Sequence, residues 1–109
     1  MRMVLFSTTL RHDDVREEHA RMVTAMRELA EATPGFVAWH EVVSPDADTA
    51  TGLIAFESED ALAAWREHPD HAAVHQRGEE AVYRSFQVQI YELVRENTWE
   101  LGEGSARPT

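Results

Sequence analysis

The chain has 109 residues, 43% of them hydrophobic and 28% charged, which is typical of a single soluble globular domain. Its net charge of −10 argues against nucleic acid and anionic membranes as partners, because binding phosphates requires a basic patch. The absence of cysteine excludes disulfides, thiolate metal ligands and a cysteine nucleophile, so any redox chemistry must use histidine, an external cofactor or the substrate itself.

The first part of the chain predicts a strand followed by a long amphipathic helix. Residues 2–9, RMVLFSTT, are typical of a strand, and residues 13–32 predict about five helical turns. Asp13 or Asp14 can cap the N-terminus of this helix. The TPG turn of residues 33–35 ends it.

Two strands, two shorter helices and a last strand are predicted to follow. The second and third strands, FVAWHEVV and TGLIAFES, are joined by the loop SPDADTA. Ser58 can cap a short helix that breaks before Pro69, and a second helix runs to about Tyr83. The segment SFQVQIYELV predicts the final strand, and from Asn97 onward the sequence shows no periodicity.

This order of elements predicts an α+β fold of the ferredoxin-like βαββαβ type, with an antiparallel sheet covered by helices on one face. We assign residues 1–96 to this domain and residues 97–109 to a C-terminal tail that is partly disordered. The first three strands are apolar on both parities, so the second sheet face also needs cover. The simplest cover is another copy of the sheet, which predicts a homodimer to which Trp99 and Leu101 could add contacts.

No segment of the sequence predicts a membrane span or a secretory leader. The chain has no apolar run approaching roughly 20 residues, and it does not open with the charged, apolar and small-residue regions of a signal peptide. We therefore expect a cytoplasmic protein whose partner is a small neutral or aromatic molecule.

Several of these segments together resemble the antibiotic biosynthesis monooxygenase family of dimeric α+β barrels. The similarity covers about residues 3–95 and includes PGF before the second strand and YRSFQVQIYELVRE at the end. Its most specific part is a W-x-x-H-P-x-H pattern, which marks the fold better than it marks a reaction and is formed by Trp65, His68, Pro69 and His71. The resemblance implies a binding cavity inside each monomer, between the sheet and the helices, and a dimeric α+β barrel.

The first helix and the short second helix would supply much of this implied cavity. His19 is the one polar member of the apolar stripe that contains Met22 and Met26. It is either a buried histidine satisfied by a backbone carbonyl, or a base, since an imidazole pKa near 6.5 allows proton exchange around neutral pH. Leu62 and Trp65 are either ordinary core residues or a flat wall for an aromatic substrate.

Three of the six histidines lie in the segment WREHPDHAAVHQRG. His71 and His75 share one helix face, but a third ligand is lacking because the residue before Pro69 is kept out of helical geometry, so we predict no metal site. The family motif implies that His71 fixes the junction between the short helices through a backbone hydrogen bond. In the second strand, one of Trp39 and His40 faces the cavity and the other faces the partner subunit.

The ten-residue spacing from Trp65 to His75 resembles the haem-degrading branch of the family, in which a tryptophan distorts the porphyrin and the histidine is the axial iron ligand. That branch carries an asparagine on the first strand, where this chain has only serine and threonine at residues 7–9. The acidic chain also disfavours haem propionates, although Arg77 or Arg84 could assist. Because of the spacing from Trp65 to His75, haem is kept as the alternative cofactor.

No nucleotide fingerprint, phosphate-binding loop or metal set appears, so we predict that the protein brings no cofactor. The resemblance implies a cofactor-independent monooxygenase that uses O2 to oxidise a phenolic, anthrone-like aromatic of the polyketide type in natural-product biosynthesis. His19, His75 or His40 would be the base, and Tyr83 a donor that stabilises the oxyanion or the peroxide. The alternatives are haem binding or degradation, a non-oxidative cyclisation or isomerisation, and a non-catalytic dimer that binds a small molecule. The residues expected to bind the substrate are Trp65, Leu62, Met22, Met26 and His71.

Overall fold

The computed structural model describes residues 1–43 and 49–102, which form a four-stranded antiparallel sheet with helices against one face. The strands are β1 (Arg2–Leu10), β2 (Phe36–Val43), β3 (Thr49–Phe56) and β4 (Tyr83–Glu92), and the helices are α1 (Arg16–Glu31), α2 (Glu59–Arg66) and α3 (Pro69–Arg77). The sheet order β2-β3-β1-β4 confirms the predicted ferredoxin-like α+β fold. Most of the predicted loop and the end of the tail, residues 44–48 and 103–109, lie outside the described residues.

The starts of α1 and α2 differ in how well the sequence predicts them. Asp13–Val15 forms a 3-10 turn, and α1 begins at Arg16 without a side-chain cap. The expected cap by Asp13 or Asp14 is therefore wrong, because both carboxylates lie inside the 3-10 turn. At α2 the prediction is confirmed, since the Ser58 hydroxyl accepts a hydrogen bond from the N–H of Ala61 at 3.2 Å.

His68 forms the junction between α2 and α3. Its backbone is extended, as expected before a proline, and its Nδ1 accepts a hydrogen bond from the N–H of Asp70 at 3.0 Å. This bond is the one that the resemblance assigned to His71, so that assignment is corrected. His71 instead packs edge-on against Trp65, with ring centroids 4.4 Å apart.

The helix that follows is shorter than predicted. α3 ends at Arg77, and residues 78–82 form one π-helical turn before β4 begins at Tyr83. Gly78 is required here because a Cβ at this position would lie 2.5 Å from Cε2 of the Tyr83 ring. The turn therefore brings Tyr83 against the backbone and into register with Leu10 of β1.

A bulge near the start of β2 decides which side chains face the helices. The pairing of β2 with β3 skips Val37, so the alternation of faces shifts by one residue. Strict alternation from Phe36 would place His40 on the helix side. Because of the bulge, Trp39 joins Phe36 in the core, and His40 is exposed on the opposite face.

The core lies between the sheet and the helices, where Phe56, Ile54, Leu62 and Val82 are fully buried. On the other face of the sheet, the paired residues Leu5 and Leu53 are only partly buried. Trp99 and Leu101 in the tail are 64% and 51% exposed. Among the helices of the described ranges, none combines the length and apolar character needed to cross a membrane.

Candidate functional site

A cavity of about 560 Å³ lies between the helix-facing side of the sheet and the helices α1 to α3. Its size falls within the range of small-molecule sites, which are concave and mostly apolar with few polar groups. The structure brings eight residues named from the sequence together around it, namely His19, Met22, Met26, Leu62, Trp65, His71, His75 and Tyr83. Their convergence from three helices and a strand makes this cavity the candidate site.

His40 is the one predicted base that the structure does not bring to the cavity. It lies on the exposed face of β2, whereas its neighbour Trp39 is buried and lines the cavity. The sequence left open which of Trp39 and His40 faces the cavity, and in the structure it is Trp39. The physical reason is the bulge at Val37, which reverses the face of every later residue in β2.

His19 is buried in the wall of the cavity, and its Nε2 has no hydrogen-bond partner among the described residues. This arrangement does not support the interpretation in which a backbone carbonyl satisfies that nitrogen. Burial lowers the pKa of His19 from its ordinary value of 6.5, while the charge of Glu41 acts in the opposite direction. His19 is therefore neutral at pH 7 and able to accept a proton.

Tyr83 contacts His19 edge to face, with ring centroids 5.5 Å apart. Burial, and then the negative charge of Glu41, raises the pKa of the Tyr83 phenol to about 12. The phenol therefore keeps its proton at neutral pH and can act only as a hydrogen-bond donor or acceptor. This protonation state agrees with the donor role predicted from the sequence.

Two further buried polar atoms in the cavity wall have no hydrogen-bond partner in the described part of the chain. They are Oγ1 of Thr8, on β1, and Nε1 of Trp39, on β2. Buried polar groups nearly always have partners, so three orphaned atoms in residues lining one cavity are unusual. The described residues therefore leave the hydrogen-bonding capacity of these three atoms unused.

Aromatic rings form a row from the floor of the cavity to its mouth. The Trp65 ring contacts the ring of His71. The rings of His71 and His75 are stacked, with centroids 6.3 Å apart and an interplanar angle of 14°. The ring of His75 in turn contacts that of Phe86, with centroids 4.8 Å apart. Burial and the nearby His75 and Arg66 lower the pKa of His71 to about 4. His71 is thus uncharged at pH 7 and too weak a base to hold a substrate proton, so it contributes the flat face of a neutral ring to the row.

His19 and Trp39 also line a second cavity of about 530 Å³, on the other side of α1. Charged residues are frequent around this second cavity, and they include Glu41, Arg27 and Glu31. With Val23, which also lines both cavities, these side chains lie between the first cavity and a second one bordered by charged residues. A proton taken up by His19 has charged groups nearby on the side away from the first cavity.

The two arginines that the sequence offered for haem propionates are held away from the cavity. Arg77 forms a two-point ion pair with Glu18 at 2.6 and 3.2 Å, and Arg84 donates to the carbonyl of Arg11 at 3.1 Å. Both arginines suggested for the propionates are thus held elsewhere, and neither lines the cavity. Within the described ranges, no group of three or more side chains has the arrangement of a metal site.

Comparison with known families identifies the kind of protein that carries this cavity. Residues 1–92 match the family described as Stress responsive A/B Barrel Domain. The chain belongs to this family. No curated protein matches the sequence of this A/B barrel protein.

Solved structures with the same fold include proteins named as oxygenases. Rv0793 from Mycobacterium tuberculosis has a TM-score of 0.75 at 17% identity, with 90% of this chain and 100% of that chain covered. SnoaB from Streptomyces nogalater, a cofactor-independent oxygenase, has a TM-score of 0.73 at 11% identity, with 87% and 94% covered. A protein named antibiotic biosynthesis monooxygenase has a TM-score of 0.74 at 10% identity, with 87% and 100% covered. These shared folds confirm the resemblance stated from the sequence, and at such identities they show the fold alone.

Sequence reasoning missed much of the wall that the strands of this A/B barrel protein contribute. Val4, Phe6 and Thr8 alternate along β1 and all line the cavity. Thr8 is the only polar residue in that alternating set, just as His19 is the only polar residue in its helical stripe. The same signal, a polar side chain on an otherwise apolar face, would have found both.

Proposed function

We propose that this A/B barrel protein is a cofactor-independent monooxygenase that oxidises a phenolic, anthrone-like aromatic molecule with O2. The observation that carries the proposal is His19, a buried neutral imidazole in the wall of a mostly apolar and aromatic cavity, whose Nε2 has no partner among the described residues. Such a group is suited to remove a proton from a weakly acidic substrate that binds where water is excluded. The oxygenase names of proteins with the same fold support the same reaction class.

The reaction requires no redox group on the protein, because the substrate supplies the electrons. His19 takes a proton from the anthrone, and the resulting anion passes one electron to O2. The carbon radical and superoxide combine to form a C–O bond, and the proton held by His19 returns to give a hydroperoxide. Loss of the second hydrogen from that carbon as a proton, with cleavage of the O–O bond, leaves a carbonyl and releases water. Overall, one CH2 and one O2 become one C=O and one H2O.

The surrounding residues would bind and orient such a substrate. Trp65, His71 and Phe86 offer flat surfaces for a fused-ring system, and Met22 and Met26 line the α1 side. The protonated Tyr83 beside His19 can donate a hydrogen bond to the peroxide oxygen. The two kinds of surface match a ligand that is apolar over most of its area and polar at one end.

Oxygen uptake with 1,8-dihydroxyanthrone tests the proposal. We expect the protein, treated with a metal chelator, to consume one O2 per anthrone and to form 1,8-dihydroxyanthraquinone faster than the buffer alone. No hydrogen peroxide should accumulate, because the second oxygen atom leaves as water. Binding of the anthrone without faster oxygen uptake would contradict the proposal and favour a non-oxidative isomerase, a cyclase or a binding protein.

We also propose that the protein is a cytoplasmic homodimer. The helix-free face of the sheet carries the partly exposed pair Leu5 and Leu53, and Trp99 in the tail is 64% exposed. A second copy would cover these apolar groups. Light scattering at micromolar concentration should therefore report twice the mass of one 12.4 kDa chain. A folded particle with the mass of a single chain would rule out the sheet-to-sheet dimer.

A further inference from the structure

We propose that Thr8 and Trp39 are the groups that bind the oxygen atoms of the substrate, and that they stabilise the oxygen anion formed when His19 removes a proton. This inference deepens the proposed function and rests on it. Both residues line the same cavity as His19, from strands β1 and β2, and both are at least nine-tenths buried. Each is therefore a candidate catalytic residue that the sequence did not single out.

The first step of the argument is that both polar atoms are buried without a partner. Thr8 is 7% exposed and Trp39 is 9% exposed, and neither Oγ1 of Thr8 nor Nε1 of Trp39 has a hydrogen bond in the described part of the chain. A buried donor without an acceptor destabilises the fold, because it has lost its hydrogen bonds to water. Valine would fill nearly the same space as threonine, and phenylalanine most of the space of tryptophan, without that cost, so the polar atoms call for a partner outside the described part of the chain.

A comparison with Trp65 shows that burial of an indole in this core does not by itself leave its N–H without a partner. Trp65 is as deeply buried as Trp39, and the centroids of their rings are 6.4 Å apart. The Trp65 N–H nevertheless donates a hydrogen bond to the carbonyl of Met26 at 3.1 Å. One indole N–H is thus held by the protein, whereas the other is buried without a partner among the described residues. The indole of Trp39 can only donate, so its missing partner must be an acceptor.

The chemistry of these groups defines the ligand. The donors are neutral, and they lie in a wall that also holds the neutral base His19, so they suit an oxygen that becomes negative only after proton transfer. A phenol or enol next to a fused aromatic system has such an oxygen, because its conjugate anion is a phenolate or enolate.

Two substitutions remove the polar atoms and keep the shape as closely as the side chains allow. Thr8→Val replaces the hydroxyl by a methyl group, and Trp39→Phe removes the indole N–H. Thr51→Val makes the same change as Thr8→Val on the helix-free face of the sheet, where Thr51 is exposed and contacts Ser7 at 3.3 Å. It is therefore the matched control.

The first measurement is the melting temperature of each variant without any ligand. Thr8→Val should unfold at the same temperature as the wild type or at a higher one, because it removes an unsatisfied buried group. A structural hydroxyl would give the opposite result. A clearly lower melting temperature for Thr8→Val, together with unchanged binding of the dye described below, would overturn the proposal for Thr8.

The second measurement is the binding of 1,8-dihydroxyanthraquinone, whose visible absorption reports its state of ionisation. Each of Thr8→Val and Trp39→Phe should weaken binding of the dye monoanion by roughly 10- to 100-fold and raise the pKa of the bound phenol, because hydrogen bonds to charged groups are the strong ones. Thr51→Val should change neither quantity. Equal affinities for the monoanion in the wild type and both variants would overturn the proposal.

These measurements need neither O2 nor turnover. The variants could bind the dye monoanion more weakly, as expected, while the wild type consumes no O2 with the anthrone. In that case the role of Thr8 and Trp39 in binding the substrate oxygen is supported and the monooxygenase reaction is wrong. If the wild type turns over the anthrone and the variants bind and react normally, the reaction is supported and the role of Thr8 and Trp39 is wrong.

Discussion

Replacing His19 by glutamine should lower the turnover of 1,8-dihydroxyanthrone by roughly a hundredfold or more, if proton abstraction limits the rate. Glutamine keeps much of the size of the side chain and its hydrogen-bonding capacity, but it cannot take up a proton. His19 lies in the cavity wall, and its Nε2 has no partner among the described residues, so the substitution breaks no hydrogen bond between that nitrogen and this part of the chain. Oxygen uptake at saturating anthrone measures the effect, and the melting temperature should stay close to that of the wild type.

The dependence of the wild-type rate on pH follows from the direction of the His19 pKa shift. Burial lowers this pKa below 6.5, so His19 becomes protonated, and unable to act as a base, only below that pH. The rate should accordingly stay constant as the pH falls through neutrality and decline only below the ordinary range of histidine. In His19→Gln the residual rate should lack this decline.

His40→Gln is the matched control for His19→Gln, because it makes the same change on the exposed face of β2. Its turnover should equal that of the wild type. His75→Gln tests the other histidine at the cavity, whose side chain is 43% exposed and lies 3.4 Å from Glu79. Normal turnover in His19→Gln combined with a lost rate in His75→Gln would move the base to the mouth of the cavity.

The order of the elements could be predicted from the sequence because α1 has a clear helical apolar period and turn residues separate the apolar strand segments. Ser58 and Pro69 mark real helix starts, since a cap and a proline act on the local backbone whatever the tertiary structure. The π turn at Gly78 could not be predicted in the same way. It depends on the contact of Gly78 with the ring of Tyr83, which forms only when β4 pairs with β1.

The helical part of the site could be predicted for the same reason, whereas the strand part could not. A single polar residue in a helical stripe, His19, is visible in the sequence as an exception to a period of 3.6. The orientation of Trp39 depends on the bulge at Val37, which inverts the faces of β2 and leaves no mark in the composition. The orphaned N–H of Trp39 could be recognised only once its surroundings were known, because hydrogen-bond partners come from distant segments.

Trp65→Ala should lower the free energy of unfolding by about 3–5 kcal/mol, the second large effect that we expect. The Trp65 ring is 6% exposed and contacts Phe56 at 5.6 Å, so its removal leaves a cavity under α2. It also deprives the Met26 carbonyl of the indole hydrogen bond. Urea unfolding measured by circular dichroism reports the difference, and ligand binding should fall as well, since Trp65 lines the cavity.

Trp65→Phe separates the two contributions, because it keeps an aromatic ring and removes the bond to Met26. Loss of one buried hydrogen bond should cost about 1 kcal/mol, to which the smaller ring adds a further packing loss. Trp39→Phe makes the same change where the N–H has no partner in the described ranges, so only the packing loss applies and relief of the unsatisfied group offsets it. Trp65→Phe should therefore be the less stable of the two variants, and Trp39→Phe the weaker in binding the dye monoanion. The reverse order of stabilities would mean that the Trp39 N–H has a structural partner and that Trp65 is held mainly by the shape of its pocket.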